Sequence, residues 1–203
     1  MHIKTIEVGF LNTNCYIVTD EATRCCAVID PGAESSAILD YLESNRLDCR
    51  AILLTHGHYD HLMGVEGVQE ATGAPLYMSD KDVEADIGNS VYSFEPGEDT
   101  HFIGDGDEAE AGPLVFEVIA TPGHTPGGLT YKIEDCLFTG DTLFRLNCGR
   151  YDFPDSSGSA LSASLMTLRD LEGDFEVFPG HGEPTTLDFE RRFNPCLISP
   201  YSL

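Results

Sequence analysis

A chain of 203 residues, 41% of them hydrophobic and 20 of them glycine, is long enough for one domain with a sizeable core and too apolar for a disordered chain. Its 11 Lys+Arg against 35 Asp+Glu give a formal net charge of −24, which repels phosphate backbones and argues against a nucleic-acid partner. No stretch approaches the roughly 20 apolar residues that cross a bilayer, and the first residues lack a signal-peptide core, so a cytoplasmic protein without a membrane partner is expected.

Short apolar runs separated by Gly, Pro and Asp dominate the chain. Residues 2–8 alternate polar and apolar in the manner of a first strand, and further strands are predicted at 15–19, 26–29, 51–54 and 75–78. Ala37, Ile38, Tyr41 and Leu42 form a helical stripe that Ser35 or Ser36 would cap, and a second helix is predicted over 62–71. The acidic, glycine-bearing stretch 80–112 reads as a solvated excursion in preference to a short helix and a loop over a site. Strands resume at 114–120, 129–133, 136–139 and 175–178, with a tight acidic hairpin turn between Tyr131 and Leu137. Helices are predicted over 159–171 and 186–193, the latter stopped by Pro195. Strands arriving in two sets, with helices between, give a layered α/β domain, and the lack of a repeat or linker makes residues 1–203 one domain.

The seven cysteines are odd in number and contain no C-x-x-C pair, which points to reduced thiols. Cys15, Cys25, Cys26, Cys49 and Cys136 lie in or beside apolar stretches as small hydrophobes, whereas Cys148 stands beside a candidate site loop.

The segment Leu53-Leu54-Thr55-His56-Gly57-His58-Tyr59-Asp60-His61 runs an apolar strand into a dense set of imidazole and carboxylate ligands. Such donors suit zinc, manganese or iron, and this spacing can serve two adjacent ions. Gly57 is read as a tight turn that lets His56 and His58 face one point, and Asp60 as a cap for the helix beginning near Leu62. A single histidine is more often structural than ligating, but three with an aspartate at this spacing point to metal.

Three later clusters repeat the pattern of a strand, a glycine or proline, and one ligand-type residue. They place His124 after Val118-Ile119-Ala120, Asp141 after Leu137-Phe138-Thr139, and His181 after Val177-Phe178. Loops leaving one edge of a rigid sheet can converge on a single site. His2 and His101 fall outside these clusters and read as surface residues.

Thr55–His61 resembles the T-H-x-H-x-D-H signature of the metallo-β-lactamase superfamily, and His124, Asp141 and His181 match its later motifs in order. The resemblance implies an αββα sandwich in a single domain. It also implies one divalent ion on His56, His58 and His124, a second on Asp60, His61 and His181, and Asp141 bridging both. The ions would be zinc, with iron or manganese as alternatives. Asp60 and Asp141 are then the expected catalytic carboxylates, Asp60 orienting a hydroxide that bridges the metals. Thr55 and Thr142 would orient ligands.

The presence of His61 resembles the glyoxalase II, lactonase and ribonuclease Z branches and disfavours antibiotic hydrolysis. Gly140-Asp141-Thr142-Leu143-Phe144 is similar to the G-D-T-L-F stretch of hydroxyacylglutathione hydrolases, and Gly149-Arg150-Tyr151-Asp152 to the G-R-x-D segment of short bacterial glyoxalase II-like proteins. Longer enzymes of that branch carry a tyrosine where Asp152 stands, and the chain ends near where their glutathione-binding C-terminal domain begins, so no such separate domain is expected. The resemblance therefore implies hydrolysis of a small anionic thioester more firmly than it implies glutathione as the thiol. Arg150 either grips the substrate carboxylate or pairs with Asp152 or Asp155, and Tyr151 packs. The alternatives are a lactonase, a persulfide dioxygenase with one iron on His56, His124 and Asp141, and a non-catalytic metal-storage domain.

Overall fold

The structure is a computed structural model that describes residues 1–84 and 95–199. Strands β1 (His2–Val8), β2 (Thr13–Thr19), β3 (Cys25–Ile29), β4 (Asp48–Leu53), β5 (Leu76–Met78) and β6 (Thr100–Phe102) form one sheet in that order. The second sheet contains β7 (Glu108–Ala111), β8 (Leu114–Ala120), β9 (Leu129–Ile133), β10 (Cys136–Gly140), β13 (Glu176–Pro179) and β14 (Thr185–Thr186), ordered β14-β13-β10-β9-β8-β7. A small ribbon pairs β11 (Leu143–Phe144) with β12 (Asn147–Cys148). The helices are α1 (Ser36–Asn45), α2 (Tyr59–Leu62), α3 (Val65–Thr72), α4 (Lys81–Glu84), α5 (Gly158–Arg169), α6 (Leu187–Phe193) and α7 (Pro195–Ile198).

Three apolar layers hold this arrangement together. Tyr16, Val18 and Ile29 of the first sheet meet Phe116, Tyr131 and Phe138 of the second in a central core. The alternate residues of the same strands, such as Cys15, Ile17 and Val28, pack outward with Ile38, Leu42, Val65 and Val68 of α1 and α3. On the opposite face, Leu137 and Val177 pack with Leu161, Leu165 and Leu168 of α5 and with Leu187 and Leu197. This is the expected αββα sandwich. It explains why β2 is buried at every position: its two faces feed different cores. Burial of each large aliphatic or aromatic side chain contributes about 1.5–3 kcal/mol.

Several predicted elements end differently, each for a local reason. The helix expected over 62–71 is two helices broken at Met63 and Gly64, because the Gly64 amide donates to the Pro31 carbonyl at 2.7 Å and a side chain there would strike Ala33 and Pro31. Ser35 stands at the N-cap of α1 but makes no capping bond; its hydroxyl lies against Gly67 of α3. Pro195 does not simply stop a helix: Asn194 ends α6 and caps α7, with Pro195 in the first turn of α7. The stretch read as an excursion supplies α4, an added parallel strand β6 and the edge strand β7. Residues 85–94, on which the loop reading depended, lie outside the described residues.

The predicted hairpin is present, with Ile133 paired to Cys136 and Glu134 at φ 50°. All seven cysteines are free, and the Cys148 and Cys196 sulfurs lie 2.9 Å apart. Among the described residues, no helix is long and apolar enough to cross a membrane.

Candidate metal centre

Strand direction brings the clustered residues to one edge. Strand β8 runs antiparallel to β9, β9 antiparallel to β10, and β10 parallel to β13, so β8, β10 and β13 finish on the same side. The loops leaving them carry His124, Asp141 and His181. From the other sheet, the loop after β4 carries His56 and His58, and α2 carries Asp60 and His61. Cross-sheet bonds fix the last loop: the Asn14 amide donates to the Pro179 and Gly182 carbonyls and the Tyr16 hydroxyl to the Pro179 carbonyl, at 3.0, 2.9 and 2.6 Å. Gly180 has no space for a side chain, because a Cβ would lie 2.3 Å from Asp141 Oδ1.

All seven expected ligand residues converge. Ligand atoms of His56, His58 and His124 lie within 4.8 Å of one another, as do those of Asp60, His61 and His181, and those of His56, His61 and Asp141. His58 Nδ1 faces His124 Nε2 at 2.9 Å, and His61 Nε2 faces His181 Nε2 at 3.4 Å. Asp141 reaches both groups, with Oδ2 3.4 Å from His124 Nε2 and Oδ1 3.5 Å from His61 Nε2.

Hydrogen bonds on the far side of the rings decide which nitrogens point inward as lone pairs. Nδ1 of His124 donates to the Arg150 carbonyl (2.8 Å), Nδ1 of His181 to the Leu11 carbonyl (3.2 Å), and Nδ1 of His61 to Asp30 Oδ2 (2.9 Å). The Thr55 hydroxyl donates to Asp30, so the His56 Nδ1 beside it at 3.1 Å is assigned as a donor to Thr55 Oγ1. Four imidazoles thus turn Nε2 toward a common centre with Nδ1 anchored, the arrangement a metal-ligating histidine needs. His56 Nε2 and Asp141 Oδ1 are buried with no hydrogen-bond partner among the described residues. Buried polar atoms rarely stay unpaired, and this donor set fits one or two divalent ions of the zinc or iron kind.

The electrostatics divide the centre. Burial, reinforced by neighbouring imidazoles, pushes His56 well below the usual histidine range and His58 down to about 4. Burial also opposes the charged form of His61, but Asp30, Asp141 and Asp60 outweigh it and lift this group to about 9. His181 is raised against its burial by Asp60 and Asp141. Burial favours a proton on Asp60, yet its bond to His181 and the charge of His61 win and hold it well below the carboxylate range.

Two carboxylates at the site were not predicted. Asp30 accepts from the Thr55 amide (2.8 Å), the Thr55 hydroxyl (2.7 Å) and His61. It follows the strand Val28–Ile29 and precedes Pro31-Gly32, the same signal that marked the other ligand loops. Asp82, in α4, accepts from the Gly57 amide, the Thr125 hydroxyl and the Gly127 amide. No glycine, proline or histidine signal announces it.

Other expectations need correction. Asp60 does not cap a helix: it lies inside α2, whose N-cap is His58, and its carboxylate turns to Thr13, His61 and His181. By contrast, Gly57 stands as expected between His56 and His58, whose ligand atoms face one point, and its amide also donates to Asp82. The Thr142 hydroxyl donates to Thr121 and not to a candidate ligand, tying the Asp141 loop to the His124 loop. Tyr151 is 41% exposed and so does not pack in the core. Thr55 acts as expected on His56, and His2 and His101 are exposed, His101 stacking on Tyr77.

The ligand cluster opens into a cleft of about 600 Å³ walled by Leu11, Tyr59, Phe144 and Phe153, with Asn147, Cys148 and Arg150 on its lining. Arg150 pairs in two-point fashion with Asp152 at 2.9 and 3.0 Å, and its guanidinium lies 4.4 Å over the Phe153 ring. Asp155 is not its partner in any described ion pair.

Residues 8–181 match the Metallo-beta-lactamase superfamily. The chain is 32% identical to the hydroxyacylglutathione hydrolase GloC of Haemophilus influenzae, covering 98% of this chain and 99% of that protein. It superposes on the BLEG-1 B3 metallo-beta-lactamase with a TM-score of 0.88 at 30% identity, over 97% of this chain and 99% of that one. With TTHA1623 in a di-iron-bound form the TM-score is 0.83 at 34% identity, over 95% of this chain and 98% of that one. The fold, the converged imidazoles and these likenesses agree: the chain belongs to the metallo-β-lactamase superfamily and is a metal-dependent hydrolase of that group.

Proposed function

We propose that this protein hydrolyses a small anionic thioester of the hydroxyacylglutathione type at a centre of two divalent ions, zinc in the first instance. The observation that carries the reading is that Asp141 reaches ligand atoms of both histidine groups while four Nε2 atoms face inward. Two divalent ions held by these residues would lower the pKa of a bound water to about 7 and would polarise the scissile carbonyl. Asp60, kept ionised and accepting from Thr13 at 3.2 Å, would orient the attacking water by accepting a hydrogen bond from it. A thiolate departs without a strong general acid, and thioesters are therefore favoured over amides.

Arg150 is proposed to bind the substrate's carboxylate on the cleft rim. Its pair with Asp152 is exposed and screened by solvent, so a substrate anion exchanges for Asp152 at little cost. The full-length likeness to GloC supports the thioester; the likeness to a B3 metallo-beta-lactamase makes β-lactams a competing substrate in the test.

Metal analysis with a substrate panel tests the proposal. Protein saturated with zinc is expected to bind about two ions per chain and to turn over acyl thioesters, with chelator abolishing the activity. Faster turnover of a lactone or a β-lactam would replace the substrate assignment. A ceiling of one iron with oxygen uptake on glutathione persulfide would replace the reaction.

A further inference from the structure

The three histidines of the first group come from two loops in different sheets, and nothing in their own sequence fixes the distance between those loops. His56 and His58 flank Gly57, whereas His124 sits in the connection from β8 to β9. Asp82 lies between the two loops, 6% exposed, and its carboxylate binds both. Oδ2 accepts from the Gly57 amide at 2.8 Å, which is the peptide N–H between the two histidines, and from the Thr125 hydroxyl at 2.8 Å, on the residue after His124. Oδ1 accepts from the Gly127 amide at 2.5 Å. The fit is close on the far side too: a Cβ on Gly127 would lie 2.5 Å from Asp82 Oδ1.

We propose that Asp82 is a positioning residue for the His56–His58–His124 half of the metal centre, acting through the two loops and touching no ion itself. This inference rests on the metal-binding reading above. A carboxylate accepting three bonds from two loops holds them at one spacing, as charge-assisted hydrogen bonds are roughly twice as strong as neutral ones. The other half has its own anchor in Asp30, which bonds His61 directly and reaches His56 only through Thr55. Asp82 bonds none of Asp60, His61 or His181 in the described structure. Its removal therefore loosens one half selectively, which a general loss of stability would not do. Supporting contacts of this kind change metal affinity by about 10- to 100-fold.

Zinc titration in two ligand-deleted backgrounds separates the halves without using activity. His181→Ala leaves the first half to bind the remaining ion, and His124→Ala leaves the second. Asp82→Ala is expected to weaken zinc binding about 10- to 100-fold in the His181→Ala background and by less than about threefold in the His124→Ala background. Asp82→Asn keeps the shape but replaces one acceptor oxygen with an amide group, and is expected to give the same selectivity with a smaller loss. It carries the comparison where circular dichroism shows Asp82→Ala unfolded. Unchanged affinity in both backgrounds, or equal losses in both, would overturn the proposal. Absence of zinc binding by the unmodified protein would instead remove the metal reading on which it rests.

Discussion

The two halves of the metal centre are built from the same residue type and behave in opposite ways. Around His56 and His58 burial and neighbouring imidazoles prevail, in His58 over the opposing pull of Asp141 and Asp60, so both rings are pushed toward neutrality, His58 to about 4. Around His61 the neighbours are Asp30, Asp60 and Asp141, and the ring is lifted to about 9 although it is fully buried. The difference teaches that histidine identity alone does not fix the state of a ligand; the count of nearby carboxylates does. The first half holds lone pairs ready for an ion, while in the second half an ion must displace protons that balance the carboxylates.

The sharpest way to break the division is to remove the residue shared by both halves. Asp141→Asn is expected to abolish turnover, reducing it to the chelator-treated background, and to weaken retention of both ions, as measured by elemental analysis after dialysis. Near-normal kcat with two ions retained would show that the halves do not meet at Asp141.

A narrower cut tests the second half. Asp30→Ala removes the acceptor of His61 Nδ1 and of Thr55 and is expected to cost about 10- to 100-fold in affinity for the second ion. Zinc titration in the His124→Ala background reads this directly. A loss confined to the first half would invert the assignment of the anchors.

Substrate recognition lies outside both halves. Arg150→Ala is expected to raise KM about ten- to a hundred-fold for carboxylate-bearing thioesters, the equivalent of roughly 1.5–3 kcal/mol for a charge-assisted contact. Neutral thioesters should be far less affected, with metal content unchanged. Equal losses on both substrate types would return Arg150 to its pair with Asp152. The smallest effect is expected from His101→Ala, whose ring is exposed on Tyr77; steady-state activity should stay within a few-fold.

The candidate ligands are legible because metal sites concentrate rare residue types in short loops punctuated by glycine and proline. His56, His58, Asp60, His61, His124, Asp141 and His181 all carry that mark, and strand placement followed from apolar runs such as Leu114–Ala120. What supports the ligands was harder to read. Asp30 bore the same mark, but one carboxylate after a strand is common and had no histidine beside it. Asp82 sits in a stretch whose acidic composition resembles a solvated loop, and its burial depends on two partners more than 20 residues away in sequence. The break at Gly64 and the idle cap at Ser35 also escaped the sequence, because each is set by contact with a segment remote in the chain. Local pattern reports local preference; these features answer to tertiary neighbours.

Each half of the centre draws two residues from the first sheet and one from the second: His56 and His58 with His124, Asp60 and His61 with His181. On the proposed assignment a bound ion would join the two layers at their seam. During synthesis the last candidate ligand, His181, emerges some 120 residues after His61. On the proposed assignment, loading of the second ion would follow closure of the sandwich, and metal capture would then report docking of the sheets.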